Sequence, residues 1–286
     1  MARLAILDAP LDCSGAGRAE ERAPAALRAA GVVQRLAARD AGEAQARVDD
    51  TLRDPATGVI GAAAVRRATA EIATAVGEVL GTRETPLVLG GDCTLLLGVF
   101  QALPRGSGLW FIDGHADFYD GESSPTGEAA DMDLAILTGH GPPGLLPQAE
   151  RLVDPADVVL LGHRPDALHP DVAEENARLD PAIRALTAPG VRERGAGRVG
   201  REAAAQLAHL PAWLHLDLDV LDASALSAVS YPQPQGLDWD ELVALARPLI
   251  AAPGLLGVSV ADFNPDRDPD GSAAAHVVDA LAALWA

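Results

Sequence analysis

The chain has 286 residues, of which 49% are hydrophobic and 22% charged, and its formal net charge at neutral pH is −19. This length is enough for one large α/β domain, or two ordinary ones, with a well-buried core. The negative charge argues against nucleic acid and anionic membranes as partners, because both bind basic surfaces. It is compatible with a small cationic substrate, although solubility alone accounts for it equally well.

The cysteine content and the N-terminal sequence bear on the cellular compartment. Two cysteines, Cys13 and Cys93, are too few for a disulfide framework, which favours a reducing environment. The first residues lack the charged, apolar and small-residue pattern of a signal peptide, and no apolar run is long enough to span a bilayer. The sequence therefore predicts a cytoplasmic protein.

The N-terminal half alternates apolar runs with Ala-rich segments. Arg3–Asp8 is predicted as a buried strand, and Ala25–Ala30 as a helical run that Gly31 ends. The polar segment Asp40–Asp54 is expected to be a surface connection. The elements predicted next are a helix over Gly61–Gly81, a strand over Pro86–Leu89, a helix over Leu95–Leu103, a strand over Leu109–Ile112 and a helix from about Glu128 to Leu137.

The same alternation continues to the end of the chain. Gly and Pro punctuate Ala188–Gly200, which predicts a loop. The other elements are strands over Asp157–Leu161, Trp213–Val220 and Leu255–Val260 and helices over Pro170–Arg178, Arg201–His209, Trp239–Ala251 and Ser272–Trp285. Strands that alternate with helices predict an α/β fold with a mainly parallel sheet covered on both faces. With no internal repeat or linker, residues 1–286 are expected to form a single domain.

The most informative stretch is DGHAD, which directly follows the strand at Leu109–Ile112. Residues at positions i, i+2 and i+4 of an extended chain point to one face, so Asp113, His115 and Asp117 are expected to converge just past the strand. Two carboxylates and one imidazole at a single point are typical ligands of a first-row divalent metal ion.

A second acidic pair lies at Asp217 and Asp219, on the strand WLHLDLDV. Two carboxylates on one face of an otherwise apolar strand are costly to bury without a partner, and a divalent cation removes that cost. Together with DGHAD they provide four carboxylates and one imidazole, a set suited to Mn²⁺ and to the activation of water. Asp222 could orient the following loop as an acceptor. Surface acids at strand ends are the alternative, which two such clusters in one chain make improbable.

Two further strand ends carry polar residues whose chemistry is less specific. In Gly90–Cys93, Cys93 could be a soft metal ligand or a small buried apolar residue, and its chemistry alone favours packing. In Asp262–Pro265, Asp262 could belong to a binding site or to an ordinary Asp-Asn-Pro turn. His163 follows the strand at Asp157–Leu161, where substrate contact and a simple surface loop are equally compatible with its position.

Taken in order, these motifs resemble the arginase/agmatinase/formimidoylglutamase (ureohydrolase) family. That family has the usual pattern GGDH, DAHxD, SxDxDxxDP and ExNP, and the likeness extends from the Ala25–Gly31 helix to the terminal helix. The matching segments of this chain are GGDC (Gly90–Cys93), DGHAD (Asp113–Asp117), HLDLDVLD (His215–Asp222) and ADFNP (Ala261–Pro265).

The resemblance implies a three-layer α/β/α fold and hydrolysis of a guanidinium or amidine by water activated between two Mn²⁺ ions. The metal ligands that it implies are Asp113 and Asp217 bridging both ions, Asp117 and Cys93 on the first ion, and His115 and Asp219 on the second. The residues expected to serve catalysis are Asp219, Asp262 and His140. It also suggests a homo-oligomer, since the family often forms trimers or hexamers.

Three positions depart from the family pattern, and two of them, Cys93 and Ala130, affect the expected metal and proton chemistry. Cys93 replaces the usual His ligand, and a thiolate admits Zn²⁺ or Fe²⁺ in place of Mn²⁺, or a site with one ion instead of two. Ala130 aligns with the His that transfers protons in arginases and cannot transfer one itself. His140, His163 and Glu128 are candidates to replace it.

The expected substrate-binding residues are Thr126, Glu128 and Asp262. Asp262 stands where the family has a Glu that pairs with the cationic end of the substrate, and the shorter side chain withdraws its carboxylate by about 1 Å, which can alter substrate choice. Thr126 and Glu128 occupy positions that contact the amino-acid end in arginases. Because a negative Glu128 would repel a carboxylate, arginine is not the expected substrate.

The sequence thus predicts a metal-dependent hydrolase of a linear C–N bond in a small cationic guanidino or amidino compound. One alternative is a degenerate family member that binds metal or a small ligand without turnover, since a ligand His and the proton-transferring His are both absent. Another is a Zn²⁺-dependent deacylase, because the histone-deacetylase fold shares an Asp/His/Asp metal site. Asp219 beside Asp217 points away from the deacylase.

Overall fold

A computed structural model describes residues 3–146 and 151–286 and contains one eight-stranded sheet. The strands are β1 (Leu4–Ala9), β2 (Arg39–Glu43), β3 (Thr85–Gly90), β4 (Gly108–Ile112), β5 (Val158–Leu161), β6 (Arg184–Leu186), β7 (Ala212–Asp217) and β8 (Leu255–Ala261). Their order across the sheet is β2-β1-β3-β8-β7-β4-β5-β6, and every neighbouring pair is parallel.

Helices cover both faces of this sheet. They are α1 (Ala23–Ala29), α2 (Val32–Arg35), α3 (Ala62–Gly81), α4 (Leu95–Ala102), α5 (Asp133–Thr138), α6 (Pro170–Asn176), α7 (Ala188–Arg194), α8 (Ala196–Gln206), α9 (Trp239–Ile250) and α10 (Ser272–Leu284). Helices α3 to α5 pack on one face, and α1, α2 and α7 to α10 pack on the other. In the part of the chain that is described, no helix is both long and apolar enough to cross a membrane.

Alternating strand residues supply the two apolar layers. Ile6 and Leu89 point to the α1 side, whereas Leu7, Val88 and Phe111 point to the α3 side. A strand that is buried on both faces therefore reads as a continuous apolar run, which is why the central strands were recognisable in the sequence. The predicted three-layer α/β/α fold is confirmed.

The register of the central strands brings their carboxyl ends to one level. Ile112 of β4 pairs with Leu216 of β7, and Asp217 of β7 pairs with Ala261 of β8. The residues that follow these strands consequently meet at one edge of the sheet, the edge at which parallel sheets bind their ligands.

Three sequence-based assignments were wrong. The segment Asp40–Asp54 begins within β2, and β6 was not predicted, because both are polar edge strands that pair on one side only. The predicted loop at Ala188–Gly200 is helical. The Thr187 side chain accepts the backbone N–H of Gly190 and begins α7, and a residue with φ of 84° (Gly195) separates α7 from α8.

The contact between α3 and α4 depends on a glycine. A Cβ atom on Gly98 would lie 2.6 Å from Cβ of Ile72 and 2.6 Å from the carbonyl oxygen of Thr69. Gly77 on the exposed side of α3 has no atom within 4 Å of the equivalent position. The two helical glycines therefore differ in packing alone.

We expect Gly98→Ala to lower the free energy of unfolding by about 1–2 kcal/mol, since overpacking outweighs the gain in helix propensity. Gly77→Ala should raise it by about 0.5–1 kcal/mol, because only the propensity changes. Urea denaturation of both variants measures these values. Equal effects of the two substitutions would contradict the packing described for α3 and α4.

Candidate metal centre

Four strand ends deliver polar side chains to one cavity. Cys93 follows β3, Asp113 follows β4, Asp217 ends β7 and Asp262 follows β8, and all four line a cavity of about 260 Å³. Eleven of the residues that line it are Asp or Glu, and among the described residues Arg18 is the one Arg there. The cavity is therefore strongly acidic.

The first group of possible donor atoms surrounds Cys93. Its Sγ lies 2.6 Å from Oδ2 of Asp217 and 3.8 Å from Oδ2 of Asp113. Burial, reinforced by Asp217, raises the pKa of this thiol well above its usual value. Without a cation the residue is a thiol, whereas a bound divalent ion would favour the thiolate.

The second group surrounds His115. Its Nδ1 lies 2.8 Å from Oδ2 of Asp219, and the backbone N–H of Gly114 donates to Oδ1 of the same carboxylate over 3.1 Å. Burial lowers the pKa of His115, but Asp219 outweighs it and raises the pKa to about 9. Burial also works to raise the pKa of Asp219, yet His115 and Arg164 outweigh that effect and lower it.

Short backbone contacts hold the carboxylates in place. Oδ1 of Asp113 accepts the N–H of His115 over 2.6 Å, and Oδ1 of Asp217 accepts the N–H of Asp219 over 2.7 Å. Asp117 and Asp262 have φ angles of 48° and 64°, which are uncommon for residues other than glycine. Such conformations cluster at binding sites, where the surroundings hold the side chain in a set direction.

The carboxylates repel one another in the absence of a cation. Burial, followed by the charge of a neighbouring carboxylate, raises the pKa of Asp113, Asp117 and Asp217 well above the ordinary range. The same causes raise the pKa of Asp262. A divalent cation would replace this repulsion by attraction, so the donor set fits a metal centre.

Asp133 belongs to this centre, although the sequence did not indicate it. The side chain is fully buried at the start of α5, and neither of its oxygens has a hydrogen-bond partner among the residues that the structure describes. One of these oxygens, Sγ of Cys93 and an oxygen of Asp117 lie within 4.8 Å of one another. A buried carboxylate without a partner is costly, so Asp133 fits a site at which a cation binds.

His215 was also missed. It lies two residues before Asp217 on the same face of β7 and is fully buried, with its Nε2 3.2 Å from Sγ of Cys93. Burial lowers the pKa of His215 to about 3, so its ring is neutral. The spacing of two residues from Asp217 was available in the sequence. Because His215 lies inside the predicted strand and not at its end, it resembled an ordinary core residue.

Arg164 and Asp222 hold the loop that follows β7. Arg164 is 1% exposed, and Asp222 accepts the backbone N–H groups of Ser224 and Gly236. The carbonyl groups to which Arg164 donates are those of Asp219, Val220, Leu221, Gln233 and Pro234. His163 is buried beside it and is not among the cavity residues, so neither alternative considered for it, substrate contact or an exposed loop, describes its position.

The predicted proton-transfer residue His140 lies elsewhere. Its Nε2 is 3.1 Å from Oδ2 of Asp180, its side chain is 43% exposed, and it is not among the residues that line the cavity. Ala130 does line the cavity. The catalytic expectation for His140 is therefore corrected, because α5 ends before His140 and carries it away from the carboxylates.

The predicted substrate-binding residues are at the cavity, but one of them has an unexpected partner. Thr126, Glu128 and Asp262 all line the cavity, and Glu128 pairs with Arg18 across 2.6 Å. Arg18 also donates to the hydroxyl of Tyr231 over 3.2 Å. This pairing offsets much of the repulsion that Glu128 would exert on a substrate carboxylate.

Comparison with known proteins places this arrangement in a family, since the model of the arginase family matches residues 2–284. The chain belongs to the arginase family. It is 29% identical to arginase from Bacillus caldovelox over an alignment of 299 residues, and that alignment covers 100% of this chain and 98% of the relative. The solved structure of that arginase superposes with a TM-score of 0.84 at 28% identity, over 100% of this chain and 98% of the other.

The fold is also shared beyond arginases. Proclavaminate amidino hydrolase from Streptomyces clavuligerus superposes with a TM-score of 0.69 at 20% identity, over 99% of this chain and 90% of that one. Membership of the arginase family confirms the resemblance drawn from the motifs. It favours amidino hydrolysis over the deacylase alternative.

We expect Zn²⁺ to stabilise this arginase-family protein through the position beside Cys93, and Asp133→Asn to weaken that stabilisation. A tenfold loss of affinity would remove about 1.4 kcal/mol of metal-dependent stabilisation. Calorimetric melting with Zn²⁺ and with a chelator measures that difference. Asp131→Asn is the matched control, because the Asp131 carboxylate already accepts hydrogen bonds from Ser124 and Thr126. The same metal-dependent shift in Asp133→Asn and in the wild-type protein would contradict a cation beside Asp133.

Proposed function

We propose that the protein is a divalent-metal-dependent hydrolase of the C–N bond in a small cationic guanidino or amidino compound. The observation that carries this proposal is the cluster of buried carboxylates, thiol and imidazole at the strand ends of an arginase-family chain. The carboxylates in this cluster repel one another unless cations hold them, and the cavity above them is open to a small molecule.

We infer that the donors already described hold two ions. Cys93 and Asp117 would hold one and His115 and Asp219 the other, and Asp113 and Asp217 would be available to both. The oxygen-rich second position suits Mn²⁺, whereas the thiol at the first position suits Zn²⁺ or Fe²⁺. Bound cations would supply Lewis-acid activation of water and charge stabilisation at the reacting carbon.

The remaining acidic side chains favour a cationic substrate. Asp262 is buried beside Asp217, its backbone N–H donates to the carbonyl of Gly91 over 2.7 Å, and its carboxylate points into the cavity. We propose that Asp262 pairs with the amidinium group and orients its carbon toward the ions. A bidentate contact of this kind is typical of carboxylates and guanidinium groups.

Hydrolysis forms one C–O bond and breaks one C–N bond, and the leaving amine must take up a proton. Ala130 cannot provide it, and His140 lies outside the cavity. Glu175 lines the cavity and is buried, and burial raises its pKa. We propose Glu175 as the group that transfers this proton, because a carboxyl with a raised pKa can act as a general acid near neutral pH.

Arg18 affects the choice between substrates with and without a carboxylate. Although it neutralises Glu128, carboxyl groups of Asp131 and Asp171 also line the cavity. The excess of negative charge leads us to propose a substrate that lacks a carboxylate next to its amino group. The class includes agmatine and other linear guanidino amines.

A second reading is a family member without turnover, which the position of Ala130 favours. The side chain at this point of the cavity is a methyl group and exchanges no proton. If Glu175 cannot substitute for the missing imidazole, the centre would bind metal and ligand and release no product. Ala130→His should then create turnover in a protein that has none.

Urea release from agmatine and arginine tests the leading proposal. We expect the Mn²⁺-loaded protein to have a kcat/KM for agmatine at least tenfold higher than its kcat/KM for arginine, because the acidic cavity repels the carboxylate that arginine carries and agmatine lacks. Chelation should abolish the activity, and Asp217→Asn should lower kcat by a factor of about 10³ or more, since the electrostatic contribution of one ion is lost.

His140→Ala is the control for these measurements, because its partner Asp180 is not a cavity residue. Its activity should remain within about twofold of the wild-type value. A protein that holds two ions per chain but releases no urea or small amide from any guanidino or amidino compound contradicts the proposed hydrolase and supports the reading without turnover.

A further inference from the structure

His215 occupies the deep side of the group of donor atoms around Cys93. We propose that Nε2 of His215 is a ligand of the metal ion held at Cys93, a role that rests on the proposed metal-dependent function. This position would then combine a thiolate, an imidazole and carboxylates. His215 would supply from β7 the imidazole that Cys93 does not supply from β3.

The distances permit one ion to bind these donors together. A nitrogen of His215, Sγ of Cys93 and oxygens of Asp113 and Asp217 all lie within 4.8 Å of one another. Two ligands of one first-row ion are separated by at most about 4.6 Å, twice a bond of about 2.3 Å. The four atoms are therefore close enough together for one ion to bind them, with Sγ of Cys93 and Oδ2 of Asp217 moving apart from their present 2.6 Å.

The far side of the ring is held as metal-binding imidazoles usually are. Nδ1 of His215 lies 2.8 Å from Oγ of Ser259, and that oxygen also accepts the indole N–H of Trp213 over 2.9 Å. The ring stacks on Phe111, with 5.3 Å between centroids. If Nδ1–H donates to Ser259, the lone pair of Nε2 is directed at Cys93. Metal-binding histidines commonly have their other ring nitrogen held by a hydrogen bond of this kind, which fixes the tautomer and the ring orientation.

Asp133 is independent evidence for a cation on this side of the cavity. Its carboxylate is fully buried and, within the described residues, has no hydrogen-bond partner, and it approaches Cys93 from α5. His215 approaches Cys93 from β7. Two buried groups from different elements thus converge on the same sulfur atom.

The motifs show a paired change at these two positions. Where the family pattern has His in GGDH and Ser in SxDxDxxDP, this chain has Cys93 and His215. The site therefore keeps one imidazole, but the imidazole comes from β7 instead of from the segment after β3. The resulting ligand set is softer than an all-oxygen and imidazole set, so this position should prefer Co²⁺ or Zn²⁺ to Mn²⁺.

Cobalt titration of the full chain tests the assignment. The charge-transfer absorption between Co²⁺ and a thiolate reports on the ion at Cys93 alone, whatever binds at His115. We expect His215→Ser to shift the midpoint of this titration to at least tenfold higher Co²⁺, whereas the surface variant His209→Ser should match the wild type. An unchanged midpoint in His215→Ser would overturn the assignment, as would the absence of this absorption from the wild-type protein.

Wild-type protein loaded with ¹¹³Cd²⁺ provides a measurement that does not depend on the folding of a variant. One cadmium resonance should couple through bonds both to the Hβ protons of Cys93 and to ring protons of His215. Coupling to Cys93 without an imidazole would show that His215 only hydrogen-bonds the sulfur, and would overturn the proposal. Both metal readouts are separate from urea release, so an inactive protein with an intact Cys93–His215 ion contradicts the proposed function alone.

Discussion

The main constraint on this structure is the repulsion between carboxylates that are buried together at the carboxyl ends of its central strands. Asp113, Asp117 and Asp217 lie within one acidic cavity, and their raised pKa values express the cost of placing several negative charges in a desolvated space. The apolar layers on both sides of the sheet stabilise the fold well enough to hold them there. Divalent cations would convert the same arrangement from a cost into a binding site.

The surrounding elements direct these carboxylates at one another. Backbone N–H groups of His115 and Asp219 bind the carboxylates two residues earlier, and Arg164 gathers the carbonyl groups of the loop after β7. The positive φ angles of Asp117 and Asp262 turn their side chains toward the cavity. These N–H groups and the Arg164 side chain do not themselves bind an ion. Together with the backbone angles they set the geometry of the donor atoms before any ion binds.

The sequence predicted the parts of the site that obey local periodicity. Residues separated by two along a strand share a face, so Asp113, His115 and Asp117 could be placed together, and buried strands could be recognised by their continuous apolar runs. The edge strands β2 and β6 escaped this reasoning because they are polar and pair on one side. Partners that meet only through the tertiary fold also escaped it.

Asp133 and His215 illustrate that limit. Asp133 lies outside the strand end whose alternation places the residues of DGHAD together. It reaches the site because the turn before α5 brings it to Cys93. His215 looked like part of a core strand, and only the neighbouring ends of β3 and β7 reveal its contact with the thiol. His140 was misplaced for the converse reason, since proximity in sequence to Ala130 does not bring its side chain to the cavity.

Anomalous X-ray diffraction from crystals grown with Mn²⁺ and Co²⁺ tests the central claim most directly, because it locates each ion and distinguishes the two elements. We predict two peaks per chain within coordination distance of the strand-end carboxylates, one beside Cys93 and His215 that takes Co²⁺ and one beside His115 and Asp219 that takes Mn²⁺. A cavity without an anomalous peak, with its carboxylates arranged as described, would contradict the account that cations resolve their repulsion.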